Sequence, residues 1–322
     1  MLPPAPLPLA DTGLPAPHVV VILATWNGAA NLQAQLDSFR VQSLQPSLLI
    51  VGDDGSDDAT PDILRAFAAS DPGFGVRLLR GAGQGAAGNF MRLLQEVPPE
   101  ADLLALSDQD DVWLPDRLAQ GARRLAGLAA GQAGLLGGRT QICDADLEPQ
   151  GLSPLPRKAL GFCHALVQNF AGGNTMLLNR AAITLARAAA AEVEQVVIHD
   201  WWLYQIVSGC GGTVIFEERP LVLYRQHAGN QIGANTGALA KLQRLRMMIR
   251  GDFRRWNDIN LRALRASEHR LTAANREILG GFARLQQAGL IGRVRLVRRL
   301  GLYRQGLAGS LSLWLAVLLG RI

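Results

Sequence analysis

Short apolar runs alternate with helical patterns through the first third of the chain. The runs are residues 18–24, 48–51, 76–79 and 101–106, and each of the first three is followed by a segment that favours a helix. Strands that alternate with helices indicate a doubly wound sheet of mostly parallel strands, buried on both faces. The sequence therefore predicts an α/β domain built on such a sheet.

Three carboxylates follow the fourth run, within residues 107–113. Asp108, Asp110 and Asp111 repel one another unless a positive charge lies between them, and oxygen ligands suit a hard divalent cation. Open α/β sheets also place their ligands at the carboxyl ends of strands. The alternative is a strand followed by an acidic helix start, with Pro115 near the first helical position. The acids alone leave both interpretations open.

Two more polar turns fall at the same predicted edge of the sheet. One follows the first run at residues 25–28, and the other follows the second run at residues 52–58. Runs of Asp, Gly and Ser form turns unaided, but their place beside the acidic stretch favours a nucleotide-binding role for Asp54 and a loop-bracing role for Asp53. The glycine-rich loop at 81–88 is neither a P-loop nor a dinucleotide fingerprint, which argues against those sites and against simple nucleotide hydrolysis.

Composition limits the domain count and the chemistry. A chain of 322 residues with 48% hydrophobic and 18% charged residues suits one large domain with an appendage, or two domains. The three cysteines are far apart, which favours a reduced, cytosolic setting and disfavours a zinc site. Residues 1–17 are rich in Pro and Ala and contain no Lys or Arg, so they lack the basic region of a signal peptide. We expect them to be a disordered lead-in.

Charge is distributed unevenly along the chain. From residue 241 onward there are 17 Lys and Arg against 4 Asp and Glu, a net +13, so the first 240 residues carry 15 against 23, a net −8. Such a basic tail favours contact with an anionic surface. Its apolar segment 311–319 contains Trp314 and is too short to span a bilayer, which fits a helix lying in an anionic membrane interface. The alternative is a helix packed on the rest of the protein; nucleic-acid binding is disfavoured, because no recognised motif is present.

Six segments of the chain, taken together and in order, resemble the family 2 glycosyltransferases, which are inverting enzymes of the GT-A fold. They are residues 22–28, 51–56, 107–113, 172–176, 199–202 and 224–227. The form S-D-Q-D-D-V-W at 107–113 is similar to the bacterial rhamnosyltransferase-like branch. The resemblance covers roughly residues 18–235 and implies a Rossmann-like, mostly parallel sheet with a helical basic extension. The domains it implies are a nucleotide-binding half (18–115), an acceptor half (116–238) and a helical basic C-terminal region (239–322).

The resemblance assigns roles to residues of the first two turns and the acidic stretch. The implied nucleotide-binding residues are Thr25, Trp26, Asn27, Asp54 and Asp108. Trp26 falls where an aromatic residue packs on the nucleotide base, and Asp54 falls where an acid accepts a hydrogen bond from that base. Asp108 and Asp110 match the D-x-D motif that holds a divalent metal, Mn²⁺ or Mg²⁺, on the donor diphosphate. Trp26 stands where tyrosine is commoner, a change that keeps the stacking and loses a hydroxyl.

Asp200 falls where the family has its catalytic base. Transfer of a sugar requires a carboxylate that accepts the proton of the acceptor hydroxyl. Two tryptophans, Trp201 and Trp202, follow Asp200, and a base lined by them is partly desolvated, which raises the pKa of a carboxyl and favours proton acceptance. The alternatives are that Asp200 caps the predicted helix, or that Glu192 or Glu194 is the base.

Further assignments concern the remaining motifs. The residues assigned to the acceptor are Gly173, Asn174, Trp201 and Trp202. His227 is assigned as a further metal ligand and Arg225 as a diphosphate contact, since both lie in a polar loop after a predicted strand. A structural histidine and an ordinary Gly-Gly turn are the alternatives. His199 departs from the family, where the residue before the base is often Glu or another polar residue.

The resemblance implies a metal-dependent, inverting glycosyltransferase that acts by single displacement. The expected donor is the nucleotide-sugar dTDP-L-rhamnose, and the expected acceptor is a lipid-linked saccharide of a bacterial surface polysaccharide. The expected location is cytoplasmic and peripheral, at the anionic inner face of the cytoplasmic membrane, with no nucleic-acid partner. The alternatives are transfer of another hexose from a UDP-sugar, and a non-catalytic module that binds nucleotide or carbohydrate.

Overall fold

The computed structural model describes residues 16–81, 83–226 and 252–322. The strands are β1 (Val19–Thr25), β2 (Leu48–Asp53), β3 (Gly75–Arg80), β4 (Leu103–Ser107), β5 (Val112–Trp113), β6 (Gly134–Gly138), β7 (Gln141–Cys143), β8 (Pro149–Leu152), β9 (Leu177–Asn179), β10 (Thr213–Glu217) and β11 (Val222–Arg225). The α-helices are α1 (Ala29–Arg40), α2 (Thr60–Ala69), α3 (Gly85–Glu96), α4 (Arg117–Ala126), α5 (Phe162–Ala165), α6 (Arg180–Ala190), α7 (His199–Gly209), α8 (Asp252–Ala266), α9 (Ala273–Leu285), α10 (Leu290–Arg299) and α11 (Gly306–Leu319). Two 3₁₀ turns occupy Gly173–Thr175 and Glu268–Arg270.

A seven-stranded sheet in the order β10-β6-β9-β4-β1-β2-β3 forms the centre of the molecule. The pairs β1–β2, β1–β4, β2–β3 and β6–β10 are parallel, which confirms the predicted doubly wound sheet. Strand β9 runs antiparallel to both β4 and β6. A second sheet has four strands in the order β5-β11-β7-β8, and its first strand in the sequence, β5, forms the end of the acidic stretch.

Both faces of the sheet are buried at its central strands β1, β2 and β4. Ile22 and its neighbour on β2, Ile50, belong to a core cluster that includes Phe90 of α3. Leu23, the next residue of β1, belongs to a second cluster with Phe39 of α1. Successive side chains of a strand point to opposite faces, so an uninterrupted apolar strand has to be covered on both sides. This explains why the strands could be recognised as continuous apolar runs.

The described part of the C-terminal region is helical, as predicted, and it packs on the domain that contains the central sheet. Glu192 forms an ion pair with Arg270 at 2.6 Å, and the Arg304 Nε donates to the Val167 carbonyl at 2.8 Å. Leu313 of α11 is buried in the core cluster beneath the main sheet. Within the three described ranges, no helix combines the length and apolarity needed to cross a membrane.

Candidate functional site

The carboxyl ends of β1, β2 and β4 meet at one edge of the sheet, as predicted. Thr25 at the end of β1 pairs in register with Asp53 at the end of β2. Leu23 of β1 pairs with Ser107, the last residue of β4. The three polar turns that follow these strands are therefore neighbours, and together they form the floor of the candidate site.

Hydrogen bonds between side chains lock the first two turns together. The Thr25 hydroxyl donates to the Asp53 carboxylate at 3.0 Å, and that carboxylate also accepts from the Ser56 backbone N–H at 3.1 Å. The Asn27 Nδ2 donates to Asp57 at 2.7 Å, and the Asp57 N–H donates back to Asn27 at 2.9 Å. Asp53 thus braces the loop, as predicted. The side chains of Thr25 and Asn27 are engaged in the same brace, so only Trp26 of the first turn extends a side chain outward.

Trp26 is 60% exposed, and its backbone is held by Gln109. The Trp26 N–H donates to Gln109 Oε1 at 2.8 Å, and Gln109 Nε2 donates to the Trp26 carbonyl at 3.0 Å. A Cβ atom on Gly28 would lie 2.2 Å from Gln109 Oε1, so this close approach requires glycine. Gln109 therefore couples the exposed indole to the acidic stretch. Sequence reasoning missed Gln109; the available signal was a neutral amide between two acids.

Asp54 organises the glycine-rich loop. Its carboxylate accepts from the Gly83 N–H at 2.6 Å and from the Gly85 N–H at 2.9 Å. Both glycines have positive φ, 67° and 77°, a conformation that residues with a side chain rarely adopt. Each carboxylate oxygen has a second lone pair, so these two bonds leave acceptor capacity for a ligand. The base-binding role of Asp54 stays a prediction.

The acidic stretch concentrates negative charge at this edge. Burial raises the pKa of Asp108 well above its usual value, and the charges of Asp111, Asp110 and Asp200 raise it further. Burial and the charge of Asp110 raise the pKa of Asp111 to about 7. Such a group of oxygen donors fits a hard divalent cation, which would relieve the repulsion.

A complete ligand set for a metal is not assembled from the described residues alone. No group of three or more His, Cys, Asp and Glu side chains is arranged to hold a metal ion there. The predicted third ligand, His227, lies outside the described residues. Asp108 and Asp110 remain the protein groups that fit this role, and their metal binding stays a prediction.

Two buried arginines support the acidic stretch from below. The Arg225 guanidinium donates to the backbone carbonyls of Asp110, at 3.0 Å, and of Ala145. Arg225 is buried and bound to backbone, and its assignment as a diphosphate contact stays a prediction. Arg117 is fully buried, donates to the carbonyls of Leu106 and Asn174, and lies 3.5 Å over the Trp113 ring. Sequence reasoning missed Arg117; the available signal was an arginine at the predicted start of a helix.

The turn at 172–175 connects the acidic stretch to Asp200. The Asn174 Nδ2 donates to Asp111 at 2.5 Å, and the Gly173 N–H donates to Asp200 at 2.9 Å. Both turn residues are buried, and a Cβ on Gly173 would lie 2.5 Å from His199 Nε2. Gly173 and Asn174 therefore hold the two acidic groups in a fixed relation, and their assignment to the acceptor stays a prediction.

Asp200 is buried in the first turn of α7. It accepts hydrogen bonds from the Gly173 N–H and, at 2.5 Å, from the Trp201 N–H. Burial raises the pKa of the Asp200 carboxyl to about 6, although these hydrogen bonds act in the opposite direction. The N-cap position belongs to Ile198, so Asp200 does not cap the helix. A carboxyl with this pKa is ionised at neutral pH and still able to accept a proton.

The tryptophans after Asp200 belong to the core. Trp202 is fully buried, and the buried Trp201 indole N–H donates to the Ala165 carbonyl at 2.6 Å. All eleven residues of α7 are buried, Asp200 included, and the assignment of the two tryptophans to the acceptor stays a prediction. Glu192 is also a poor base: hydrogen bonds from Arg270 lower the pKa of its carboxyl to about 2.

His199 is a buried, neutral neighbour of the site. Its ring stacks on Phe90 with 3.9 Å between centroids, and burial lowers the pKa of the imidazole to about 3. Neither ring nitrogen has a hydrogen-bond partner among the described residues. His199 therefore carries no charge at neutral pH and fills space behind the turn that holds Asp200.

Comparison with known proteins identifies the class of this protein. The family model described as Glycosyl transferase family 2 matches residues 20–183, and the chain belongs to that family. It is a glycosyltransferase. The dTDP-rhamnosyl transferase RfbG of Shigella flexneri is 28% identical over 232 residues, which cover 69% of this chain and 78% of the relative.

Solved structures agree on the fold. The mannosyltransferase PcManGT from Pyrobaculum calidifontis, in complex with GDP-Man and Mn²⁺, is 17% identical with a TM-score of 0.50, covering 98% of this chain and 89% of that chain. TarS from S. aureus, in complex with UDP-GlcNAc, is 11% identical with a TM-score of 0.51, covering 89% of this chain and 93% of that chain. The chain therefore has the GT-A fold of these glycosyltransferases.

Proposed function

We propose that this glycosyltransferase moves L-rhamnose from dTDP-L-rhamnose onto a saccharide acceptor, with inversion at the anomeric carbon. The observation that carries the proposal is that these groups share one edge of the sheet. The exposed Trp26 is hydrogen-bonded to Gln109 of the acidic stretch. Within that stretch, the charge of the buried Asp200 contributes to the raised pKa of Asp108, so the two carboxyls are near each other. The donor rests on the relative named as a dTDP-rhamnosyl transferase.

A nucleotide-sugar and a divalent metal are consistent with the solved neighbours, of which one contains GDP-Man and Mn²⁺ and another UDP-GlcNAc. In this chain, Asp108 and Asp110 would hold the metal, because they are oxygen donors in a cluster whose charges oppose ionisation. The metal would supply Lewis-acid stabilisation of the negative charge on the leaving diphosphate.

The protein's own groups divide the remaining work. Trp26 stacks on the nucleotide base, and Asp54 accepts a hydrogen bond from the edge of that base. Asp200 accepts the proton of the acceptor hydroxyl while the oxygen of that hydroxyl forms a bond to the anomeric carbon. The bond from that carbon to the diphosphate oxygen breaks in the same displacement, so no sugar becomes attached to the enzyme.

The acceptor is a lipid-linked saccharide of a surface polysaccharide, and the enzyme works as a peripheral protein on the cytoplasmic face of an anionic membrane. The charge of the chain supports this location: the residues from 241 onward carry a net +13 and the preceding residues a net −8. Basic segments are attracted to anionic lipid, whereas the acidic body is repelled from it. Under this proposal the tail orients the catalytic domain on the membrane.

A donor screen tests the proposed reaction. Purified protein with Mn²⁺ or Mg²⁺ is offered dTDP-rhamnose, UDP-hexoses and GDP-mannose, and release of the nucleoside diphosphate is measured with and without a saccharide acceptor. We expect acceptor-dependent release of dTDP. Release of UDP instead would show that the donor is a UDP-sugar and would leave the proposed type of reaction unchanged. Release from no donor would favour the alternative of a non-catalytic module that binds nucleotide or carbohydrate.

We expect Trp26→Ala to weaken dTDP binding by on the order of tenfold, because stacking of a base on an aromatic ring is worth about 1–3 kcal/mol. Gln109→Ala should weaken binding in the same direction while leaving the indole present, since both of its hydrogen bonds hold the Trp26 backbone. Calorimetric titration with dTDP measures both effects.

Gln33→Ala is the matched control, because Gln33 is exposed on α1 and its amide donates to Asp37. It should bind dTDP as the parent does. If Gln109→Ala also binds dTDP like the parent, Gln109 does not position the indole; if Trp26→Ala does so, Trp26 does not contact the base.

A further inference from the structure

The last helix, α11, is apolar on two opposite faces. Leu313, Ala316 and Val317 are buried against the catalytic domain. On the other side, Leu307 is 85% exposed, Leu311 71% and Leu318 54%. At about 100° per residue these three positions fall within about 40° of one another around the helix. We call them, with the partly exposed Leu315 and Leu319, the leucine face.

The leucine face lies beside a row of arginines. Helix α10 runs antiparallel to α11, since the Arg298 guanidinium lies 5.9 Å over the Trp314 ring and Arg293 approaches Gly320. Arg295, Arg298 and Arg299 are exposed on α10. After Glu277 the chain contains seven arginines and no acidic residue. An exposed apolar strip next to a helix whose charged residues are all arginines is characteristic of a contact with anionic lipid.

We propose that the leucine face of α11 inserts into the interface of an anionic bilayer, with the arginines of α10 at the level of the headgroups. Charge complementarity selects this occupant: the charged side chains of α10 are all arginines, and lipid phosphates are negative. Trp314 lies between the buried and exposed sides of α11, where an amphipathic ring suits the boundary between water and hydrocarbon. This deepens the peripheral location proposed above by assigning it a surface.

The docking surface is connected to the catalytic site through one short loop. At the start of α11, the Arg304 Nε donates to the Val167 carbonyl, and the Gln305 N–H donates to Gln168 Oε1 at 2.8 Å. The next residue, Asn169, hydrogen-bonds through its side chain to Asp200. The lipid surface would therefore lie on the side of the molecule where the loop at residues 167–169 contacts Asp200. This arrangement rests on the proposed function and would present a lipid-linked acceptor to the base.

Vesicle flotation with surface-only substitutions tests the proposal. The variant Leu307→Gln/Leu311→Gln/Leu318→Gln changes exposed side chains and leaves the buried face of α11 intact. The full-length protein is mixed with phosphatidylcholine vesicles that contain or lack phosphatidylglycerol. We expect the parent to float with the anionic vesicles, less so at high salt, and the triple variant to partition about tenfold or more weakly.

Val41→Gln/Leu78→Gln is the matched control, because both side chains are exposed and neither belongs to α10 or α11. It should float as the parent does. Equal flotation of the triple variant and the parent, or no flotation of the parent, would overturn the proposal. A parent that is dimeric in light scattering, with a monomeric triple variant, would also overturn it, because a second copy would then cover the leucine face.

The proposed reaction is measured separately by dTDP release with a water-soluble acceptor. The triple variant should retain this release within about twofold, because no leucine of the set contacts the catalytic site. Loss of flotation with retained release supports the docking surface. Failure of release in the parent itself contradicts the proposed function and leaves the flotation result interpretable.

Discussion

Replacing Asp200 with asparagine should lower kcat by about 10²–10⁴-fold, the usual contribution of a positioned general base. Asparagine has nearly the same shape and keeps an oxygen to accept from the Gly173 N–H. It cannot accept the proton of the acceptor hydroxyl. The affinity for the donor should change little, because under the proposed function Asp200 acts on the acceptor. Turnover at saturating donor and acceptor, with dTDP binding measured alongside, separates the two effects.

The pH profile gives an independent reading of the same group. Because burial raises the pKa of Asp200 to about 6, the carboxyl is protonated and inactive as a base below that pH. For the parent, kcat/KM should therefore rise with pH through about 6 and level off above it. The residual activity of Asp200→Asn should lack this rise. A profile that is flat between pH 5 and 8 in the parent would contradict the assignment of Asp200 as the base.

The matched control for this experiment is Glu194→Gln, which neutralises an exposed carboxylate shortly before α7. It should retain the turnover of the parent, and a loss there in place of Asp200→Asn would transfer the role of base to Glu194. Glu192 is excluded by its ion pair with Arg270, which keeps it ionised and a weak proton acceptor.

The raised pKa of Asp200 also affects the stability of the fold. Its pKa in the folded state, about 6, lies above the ordinary value of 3.8, so the protonated form favours folding. That contribution is lost as the pH rises through about 6, and at neutral pH the ionised group opposes folding. In Asp200→Asn this electrostatic cost is absent, but the amide NH2 replaces one of the two oxygens that accept from the Gly173 and Trp201 N–H groups. The melting temperature of the variant should therefore lack the contribution that changes through pH 6 in the parent, which circular dichroism can check.

The fold was predictable because its strands carry an unambiguous signal. A parallel strand covered on both faces is a continuous apolar run, as in β1 and β4, and the polar turns after it must lie at one edge. The bracing role of Asp53 followed from that placement together with the turn-forming character of its neighbours. These features depend on local sequence and on the direction of the strands, both of which a single chain reveals.

The contacts made by α7, the helix that contains Asp200, could not be predicted in the same way. Helix α7 is buried along its whole circumference, so it has no polar face from which orientation could be inferred. Trp201 and Trp202 were assigned to the acceptor because they adjoin Asp200 in sequence, whereas in the fold they point into the core. Adjacency in a helix says little about shared surroundings, since neighbouring residues diverge by about 100°.

The supports of the acidic stretch come from distant parts of the chain. Asn174 and Arg225 contact Asp111 and Asp110 across separations of 63 and 115 residues. Only the tertiary arrangement of β4, β9 and β11 brings these groups together. Their polar character was visible in the sequence, which is why they were assigned to ligands, but a polar side chain can serve a buried brace equally well.

Replacing Asp110 with alanine should abolish metal-dependent transfer, with a loss on the order of 10²-fold or more, because a metal contributes several kcal/mol of charge stabilisation to a leaving diphosphate. Binding of Mn²⁺ in the presence of dTDP should weaken in parallel, measured by calorimetry so that the result does not depend on activity. Asp62→Ala is the matched control, since it removes an exposed acid from α2, where Asp62 pairs with Arg65. Its metal binding and turnover should equal those of the parent.

The fold of Asp110→Ala should survive, and its stability should hold or rise. In the parent, the charge of Asp110 raises the pKa of both Asp108 and Asp111, so these carboxylates repel one another in the absence of a cation. Removing one charge relieves that repulsion, whereas a purely structural acid would leave the protein less stable when removed. An Asp110→Ala variant that melts well below the metal-free parent, or a parent that keeps full activity in excess chelator, would refute the metal role of this stretch. A variant that is stable, binds no Mn²⁺ and is inactive would establish that these acids are kept close together, against their own repulsion, to hold the metal.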